Sequence, residues 1–324
     1  MTIQSSLTET ELLTHTIFSP LEIERFGVAA ELGKRFVHYS SAEAAMNILE
    51  NREIWMRKPS LMNDFTEFKY GRELLLNVYG HHDVGKKFRS LLNRMFPGFC
   101  DELEKKINVW LPWFRNETYI LCMSEHLPEE DEIGRLSMWR AYGGETGVAI
   151  VMKNTPFVQV TDKLAAYSSP ISYVNKDGFL NAFKVMVDAM EVNFDFVKSL
   201  SRGVVMNHIF EMMRTKILCT KHPGFHEERE WRIYYSPPYQ MSETIIPDLK
   251  IIGGVPQTIQ KIPLKNDPEA GLYGADIPNL LDQLIIGPTE YSEAIFEAFA
   301  KVLMNAGVKN PSSMISVSDI PLRR

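Results

Sequence analysis

Glu228-Arg229-Glu230-Trp231-Arg232-Ile233-Tyr234-Tyr235 is the stretch whose reading decides the fold. Trp231 to Tyr235 is rich in aromatic and β-branched residues, the composition of a strand. Side chains on a strand alternate between faces. Glu228, Glu230, Arg232 and Tyr234 then share one face. Arg229, Trp231, Ile233 and Tyr235 share the other, which is the better core face. Two carboxylates about 7 Å apart on one face raise each other's proton affinity, and a neighbouring arginine lowers it again. Such a pair can hold a ribose hydroxyl and a developing positive charge. It can equally be a charge ladder on a solvated strand edge, and the octet alone leaves both readings open.

Outward from this strand, the pattern predicts alternating strands and helices. Lys34 to Tyr39 is a strand, and Ser40 with Glu43 resembles a capping box that starts a helix. Glu53 to Arg57 is a second strand, broken by Pro59. A helix starts at Asn63-Asp64, and 83–116 is helical with Pro97-Gly98 as punctuation. Strands follow at Thr118 to Ser124, Gly147 to Met152 and Ser169 to Val174, with one or two helical turns between Arg135 and Tyr142. Two helices occupy 177–220. The Pro- and Gly-rich stretch 236–281 holds at least one strand, Ile259 to Leu264. A strand at Asp282 to Ile286, a helix at Glu290 to Ala306 and a strand at Met314 to Ile320 close the chain. Without regular βαβ alternation this is an α+β fold. Residues 1–33 read as a polar helical arm and 34–324 as a single domain, with helical insertions at about 75–117 and 176–220.

The bulk numbers narrow the function classes. The chain has 324 residues, 45% of them hydrophobic, enough for a substantial core. A net charge of −6 gives no whole-chain case for nucleic-acid binding. Cys100, Cys122 and Cys219 are odd in number, so reduced thiols and a cytoplasmic location are expected. The first residues lack the basic and apolar regions of a signal peptide, and no run approaches a spanning helix, so no membrane is expected. P-loop, dinucleotide-fold, nucleophile-elbow and H-E-x-x-H motifs are absent.

Other residues carry candidate chemistry. His38 shares a strand face with Phe36 and Ser40, and is either structural or catalytic. Asn63-Asp64-x-x-Glu67 reads as an N-cap with a first-turn acid on the helix dipole. Met138-Trp139-x-x-Tyr142, beside Gly143, Gly144 and Gly147, either walls a pocket for a flat ring or anchors the core. Cys219, His222 and His226 have metal-like spacing, but no fourth ligand is evident and Pro223-Gly224 breaks the helix that would align them, so no metal is expected.

In order, the motifs are F-V-H-Y-S (36–40), N-D-F-T-E (63–67), C-M-S-E (122–125), M-W-R-A-Y (138–142) with G-V-A-I (147–150), E-R-E-W-R (228–232) and L-I-I-G-P (284–288). The set resembles a widespread bacterial family of unknown function across roughly 34–320. That family in turn resembles a distant branch of the ADP-ribosyltransferase superfamily, which implies a split β core and NAD as substrate. The resemblance implies His38 at the first-strand position, Ser124 at the middle one, and Glu228-x-Glu230 at the last, with Glu230 catalytic. Tyr39, Trp139, Tyr142 and Arg232 join His38 and Ser124 as expected contacts to NAD, and Arg35 or Arg232 as the group meeting pyrophosphate or fixing the glutamates. The acceptor would be a macromolecule, protein or nucleic acid, and the role that of a toxin or antiphage effector. Met123-Ser124-Glu125 departs from the family's Ser-Thr-Ser, and Trp231-Arg232 is not a feature of the toxins. A non-catalytic nucleotide sensor, a metal-dependent nuclease using Asp64, Glu67 and the glutamate pair, and a structural interaction protein are the alternatives.

Overall fold

In the computed structural model, which describes residues 7–62, 65–159 and 164–321, the decisive octet divides in two. Arg229 adopts a left-handed backbone (φ 44°), so the strand starts only at Glu230, and Glu228 ends a short 3-10 turn, Pro223–Glu228. All six residues Glu230–Tyr235 are buried. The charge ladder on a solvated edge is therefore excluded, and so is the shared strand face of Glu228 and Glu230.

The strands are β1 (Arg35–Ser41), β2 (Glu53–Met56), β3 (Tyr119–His126), β4 (Gly147–Met152), β5 (Ala166–Pro170), β6 (Ser172–Tyr173), β7 (Thr220–Lys221), β8 (Glu230–Tyr235), β9 (Ile246–Ile252), β10 (Val255–Pro263), β11 (Leu281–Ile286) and β12 (Ile315–Val317). Seven form a mixed sheet in the order β12-β11-β4-β1-β3-β8-β5, antiparallel except for the parallel β11–β12 pair. β2, β10 and β9 form a second sheet. The β9–β10 hairpin turns at Gly253-Gly254, both left-handed, inside the stretch where the sequence indicated at least one strand. The fold is mixed α+β.

One side of the large sheet packs Phe36, Met123, Ile150 and Trp231 against Ala29, Ala45, Leu49 and Phe299 from the helices Pro20–Glu31, Ala42–Asn51 and Ser292–Asn305. Burying side chains of this size stabilises by about 1.5–3 kcal/mol each. Ser41 caps Ala42–Asn51, its hydroxyl accepting from the Ala44 N–H at 3.2 Å, whereas Ser40 stays in the strand. The helices Phe65–His81, Asp83–Met95, Phe99–Asn116, Lys176–Val192 and Arg202–Leu218 share a separate apolar core, so the two expected insertions form one helical body. A third helix, Phe194–Ser199, sits within the second insertion.

Within residues 7–33 the N-terminal segment packs against both cores. Ile17 and Phe18, from the helix Glu9–Phe18, are buried in the helical body, and Ala29 in the sheet core. Arg25 donates to the Ile171 carbonyl at 2.7 Å, and Asn154 donates to the Ala29 carbonyl at 2.8 Å. No helix among the described residues is long and apolar enough to cross a membrane. No disulfide joins the three cysteines.

One feature of the sheet positions the cleft. β1 and β3 pair only from Arg35↔His126 to Val37↔Ser124. Beyond that point β1 keeps β4 as far as Ser41↔Gly147, and β3 keeps β8 as far as Tyr119↔Tyr235. The two strands part, and Arg57 enters on the freed edge of β3, exchanging two backbone hydrogen bonds with Ile120 at 2.8 and 2.9 Å.

Candidate functional site

A cleft of about 560 Å³ lies where β1 and β3 part. Its size falls within the roughly 300–1,000 Å³ of small-molecule sites. Residues directly opposite in a ladder share a face. Ser124 opposes both Val37 and Glu230, so Tyr39, Ser124 and Glu230 belong to one side of the sheet. His38 belongs to the other, with Phe36 and Ser40. The cleft cuts through the sheet, and His38, Tyr39, Ser124, Tyr142, Glu228 and Glu230 all line it. Three neighbouring strands thus bring His38, Tyr39, Ser124 and Glu230 together, joined by Glu228 from the turn before β8.

His38 closes the middle of the parting: its Nδ1 lies 3.2 Å from the Cys122 carbonyl. A carbonyl only accepts, so Nδ1 carries the proton and Nε2 keeps a lone pair. Burial, only partly offset by this hydrogen bond, pushes the imidazole pKa below its ordinary value. The ring is therefore neutral near pH 7 and can accept a hydrogen bond through Nε2.

Glu230 sits in a buried charge cluster that sequence reasoning largely missed. Lys221 Nζ contacts Glu230 at 2.5 Å, Glu228 at 2.6 Å and Glu67 at 2.8 Å. Arg232 contacts Glu230 at 2.7 Å and Glu67 at 2.8 Å, and donates to the Leu218 carbonyl at 2.6 Å. The Glu230 N–H donates to the Tyr173 hydroxyl at 2.7 Å. Burial alone would raise the Glu230 pKa, but Arg232 and Lys221 outweigh it and bring it down to about 2. The carboxylate is ionised at any physiological pH. Glu228 and Glu230 are joined through one ammonium, not through strand spacing.

A second cluster pins the turn before β8. Arg135 donates to the Glu227 and Glu228 carbonyls at 2.7 and 3.2 Å and to the Glu125 carbonyl at 2.8 Å, and pairs with Glu130 at 2.8 Å. Arg229 also pairs with Glu130. This bracing holds Arg229 in its left-handed conformation, which costs on the order of 1 kcal/mol in a residue other than glycine.

Three candidates stand away from the cleft wall. Trp139 is buried, donates to the Ile133 carbonyl at 2.9 Å, and lies edge-on to Tyr39 at 4.7 Å. A Cβ at Gly134, Gly147 or Gly287 would come within 2.5, 3.0 and 2.9 Å of its indole. The flat ring that these glycines accommodate is the protein's own tryptophan. Arg232 stands behind Glu230 and does not line the cleft. Arg35 is engaged by Asp131 at 2.7 Å and Asp282 at 3.0 Å, so it positions strands instead of meeting a ligand. Tyr142, presented by a π-turn, Trp139–Gly143, keeps an exposed ring at the cleft.

Cys219, His222 and His226 do not converge. Cys219 is buried, which pushes its thiol up to about 12. His222 accepts from the Gly224 N–H at 3.1 Å, and His226 contacts the Pro223 carbonyl at 3.0 Å. Among the described residues no group of three His, Cys, Asp or Glu side chains is placed to hold a metal ion. Asn63 and Asp64 lie outside the described residues.

Lys221 lies inside the metal-like spacing of Cys219-x-x-His222 and has no sequence signature of its own. Glu67, in the first turn of the helix Phe65–His81, joins the charge cluster through both Lys221 and Arg232. Residues 138–233 match a family described as a protein of unknown function, DUF2971. The matched span carries Tyr142, Lys221, Glu228, Glu230 and Arg232, while His38, Glu67 and Ser124 lie outside it. No curated protein and no solved structure matches the chain. These comparisons contain no link to ADP-ribosyltransferases; what they establish is similarity over 138–233 to DUF2971.

Proposed function

We propose that the cleft binds NAD and that the protein transfers ADP-ribose to a macromolecular acceptor. One observation carries the reading: His38, Ser124 and an ionised Glu230, from three neighbouring strands, meet on one cleft at the parting of the sheet. In this chemistry the bond between nicotinamide and ribose breaks, and its electron pair leaves with nicotinamide. The ribose passes through an oxocarbenium-like centre, as in other glycosyl transfers. An acceptor nucleophile then bonds to that carbon and loses its proton.

Glu230 accepts the ribose 2′-hydroxyl and stabilises the positive charge. The ordinary objection, that a buried carboxylate would be neutral, is answered by Lys221 and Arg232. Glu228 stands beside the same ammonium, in a position to take the acceptor's proton. His38 accepts a ribose hydroxyl through Nε2, and Tyr142 offers the ring on which nicotinamide stacks. The toxin or antiphage role rests on the family resemblance alone.

The test uses NAD labelled in its adenylate phosphate, offered with protein, RNA and DNA acceptors. Label appears covalently on one acceptor class with the native protein and not with Glu230→Gln. Binding of NAD without label transfer or nicotinamide release would support the sensor alternative instead. Absence of both binding and turnover would end the reading.

A further inference from the structure

Arg57 is the one lysine or arginine among the described residues that line the cleft. Its backbone is locked to Ile120 by the two hydrogen bonds that seat it on the edge of β3. Its guanidinium is aimed by two neutral acceptors, the Gln257 side-chain oxygen at 3.0 Å from Nε and the Leu61 carbonyl at 3.0 Å from Nη2. It makes no ion pair with a described carboxylate, in contrast to Lys221 and Arg232. Burial works against its charge. Half-buried charges are ordinarily paired, because desolvating one alone is costly. A rigidly held guanidinium with donors to spare and no counter-charge, on the wall of a cavity, is the arrangement of an anion site.

The register fixes where that anion would sit. Arg57 opposes Ile120 and Glu230 opposes Ser124, both on β3 and on the same side of the sheet. Ile120 and Ser124 are four positions apart, about 13 Å along β3, and Arg57 and Glu230 flank that strand on opposite edges, about 10 Å apart across it. Both residues line the cleft. A ribose hydroxyl on Glu230 and a phosphate on Arg57 then belong to one extended ligand.

We propose that Arg57 is the anion-reading residue of the cleft, selecting ligands that carry a phosphate or pyrophosphate at the end remote from Glu230. Anion recognition stands on the geometry of Arg57, while the assignment of that anion to the pyrophosphate of a dinucleotide rests on the NAD reading above. The guanidinium presents paired N–H donors to phosphate oxygens, a geometry that a lysine reproduces only in charge.

Calorimetric titration of the full chain with ADP-ribose and with adenosine tests this, using the native protein, Arg57→Gln and Arg57→Lys, each checked for an unchanged melting transition. ADP-ribose binds at least tenfold more weakly to Arg57→Gln, Arg57→Lys recovers part of the loss, and adenosine does not distinguish the three. Equal ADP-ribose affinity for native protein and folded Arg57→Gln overturns the inference, as does a native protein that binds ADP-ribose no better than adenosine. Nicotinamide release from NAD separates the two levels. Release with a KM unchanged in Arg57→Gln overturns the anion site and leaves transfer standing. Arg57-dependent ADP-ribose binding without release upholds the anion site and removes transfer.

Discussion

Lys221 Nζ lies 2.5 Å from the Glu230 carboxylate, and the same ammonium holds Glu228 and Glu67. Three carboxylates thus converge on one lysine, with Arg232 as the second cation. Lys221 is nearly sealed from water, with 2% of its side chain exposed, so the cluster is a single electrostatic unit in a medium where unpaired charge is expensive.

Lys221→Met therefore leaves three acids with one cation. It lowers stability by about 3–5 kcal/mol, the cost of breaking a buried pair from one side. Adding Glu67→Gln recovers part of that loss. Denaturant unfolding of the single and double variants checks both points, and strict additivity of the two substitutions would show that the groups do not act as a unit.

Gly287→Ala is expected to destabilise by about 1–3 kcal/mol through overpacking. The new methyl would stand 2.9 Å from the Trp139 ring, whose slot has no room to yield. Trp139→Phe in the same chain relieves the clash. A thermal melt of Gly287→Ala indistinguishable from the native one would mean that Trp139 is not seated as described.

The N-terminal helix carries a pH dependence. His208 lies edge-on to His15 at 5.3 Å and stacks on Phe18 at 5.5 Å. Burial, with some help from His15, pushes its pKa down to about 4 from an ordinary 6.5. The unfolded chain thus takes up the proton first. The stabilising contribution is complete above pH 6.5 and is lost as pH falls toward 4. His208→Gln flattens the melting-temperature profile across that window; an unchanged slope would contradict the assignment.

Tyr142→Ala is expected to raise the KM for NAD severalfold while leaving the fold intact, since the ring is exposed and contributes little to the core. Trp139→Ala, in contrast, acts through stability. Parallel melting curves and initial-rate measurements on both variants distinguish a cleft residue from a core residue.

Much of this arrangement is legible in the sequence, and the remainder is hidden for identifiable reasons. Strand composition marks β1, β3, β4, β8 and β11, and the ordered motifs place His38, Ser124 and Glu230 on three of them. Alternation fails at Glu228 because Arg229 turns left-handed, a conformation imposed by Arg135 and Glu130 from distant parts of the chain. Trp139 is ambiguous in sequence because glycines that wall a ligand pocket and glycines that admit a core indole look alike. Lys221 and Arg57 carry no motif at all. Lys221 reaches Glu228 and Glu230 through the turn at Arg229, which alternation does not show, and its pairing with Glu67, like that of Arg57 with Gln257, spans more than a hundred residues.

The most direct test of the central claim is the rate of nicotinamide release from NAD by native protein and by Glu230→Gln, measured with a melting curve that shows both are folded. Glu230→Gln keeps the size of the side chain and removes the charge that Lys221 and Arg232 hold in place. The native protein is expected to release nicotinamide, with a loss of at least about a hundredfold in the variant, the scale on which removing one electrostatic group lowers turnover. Equal release rates in two folded proteins would contradict it.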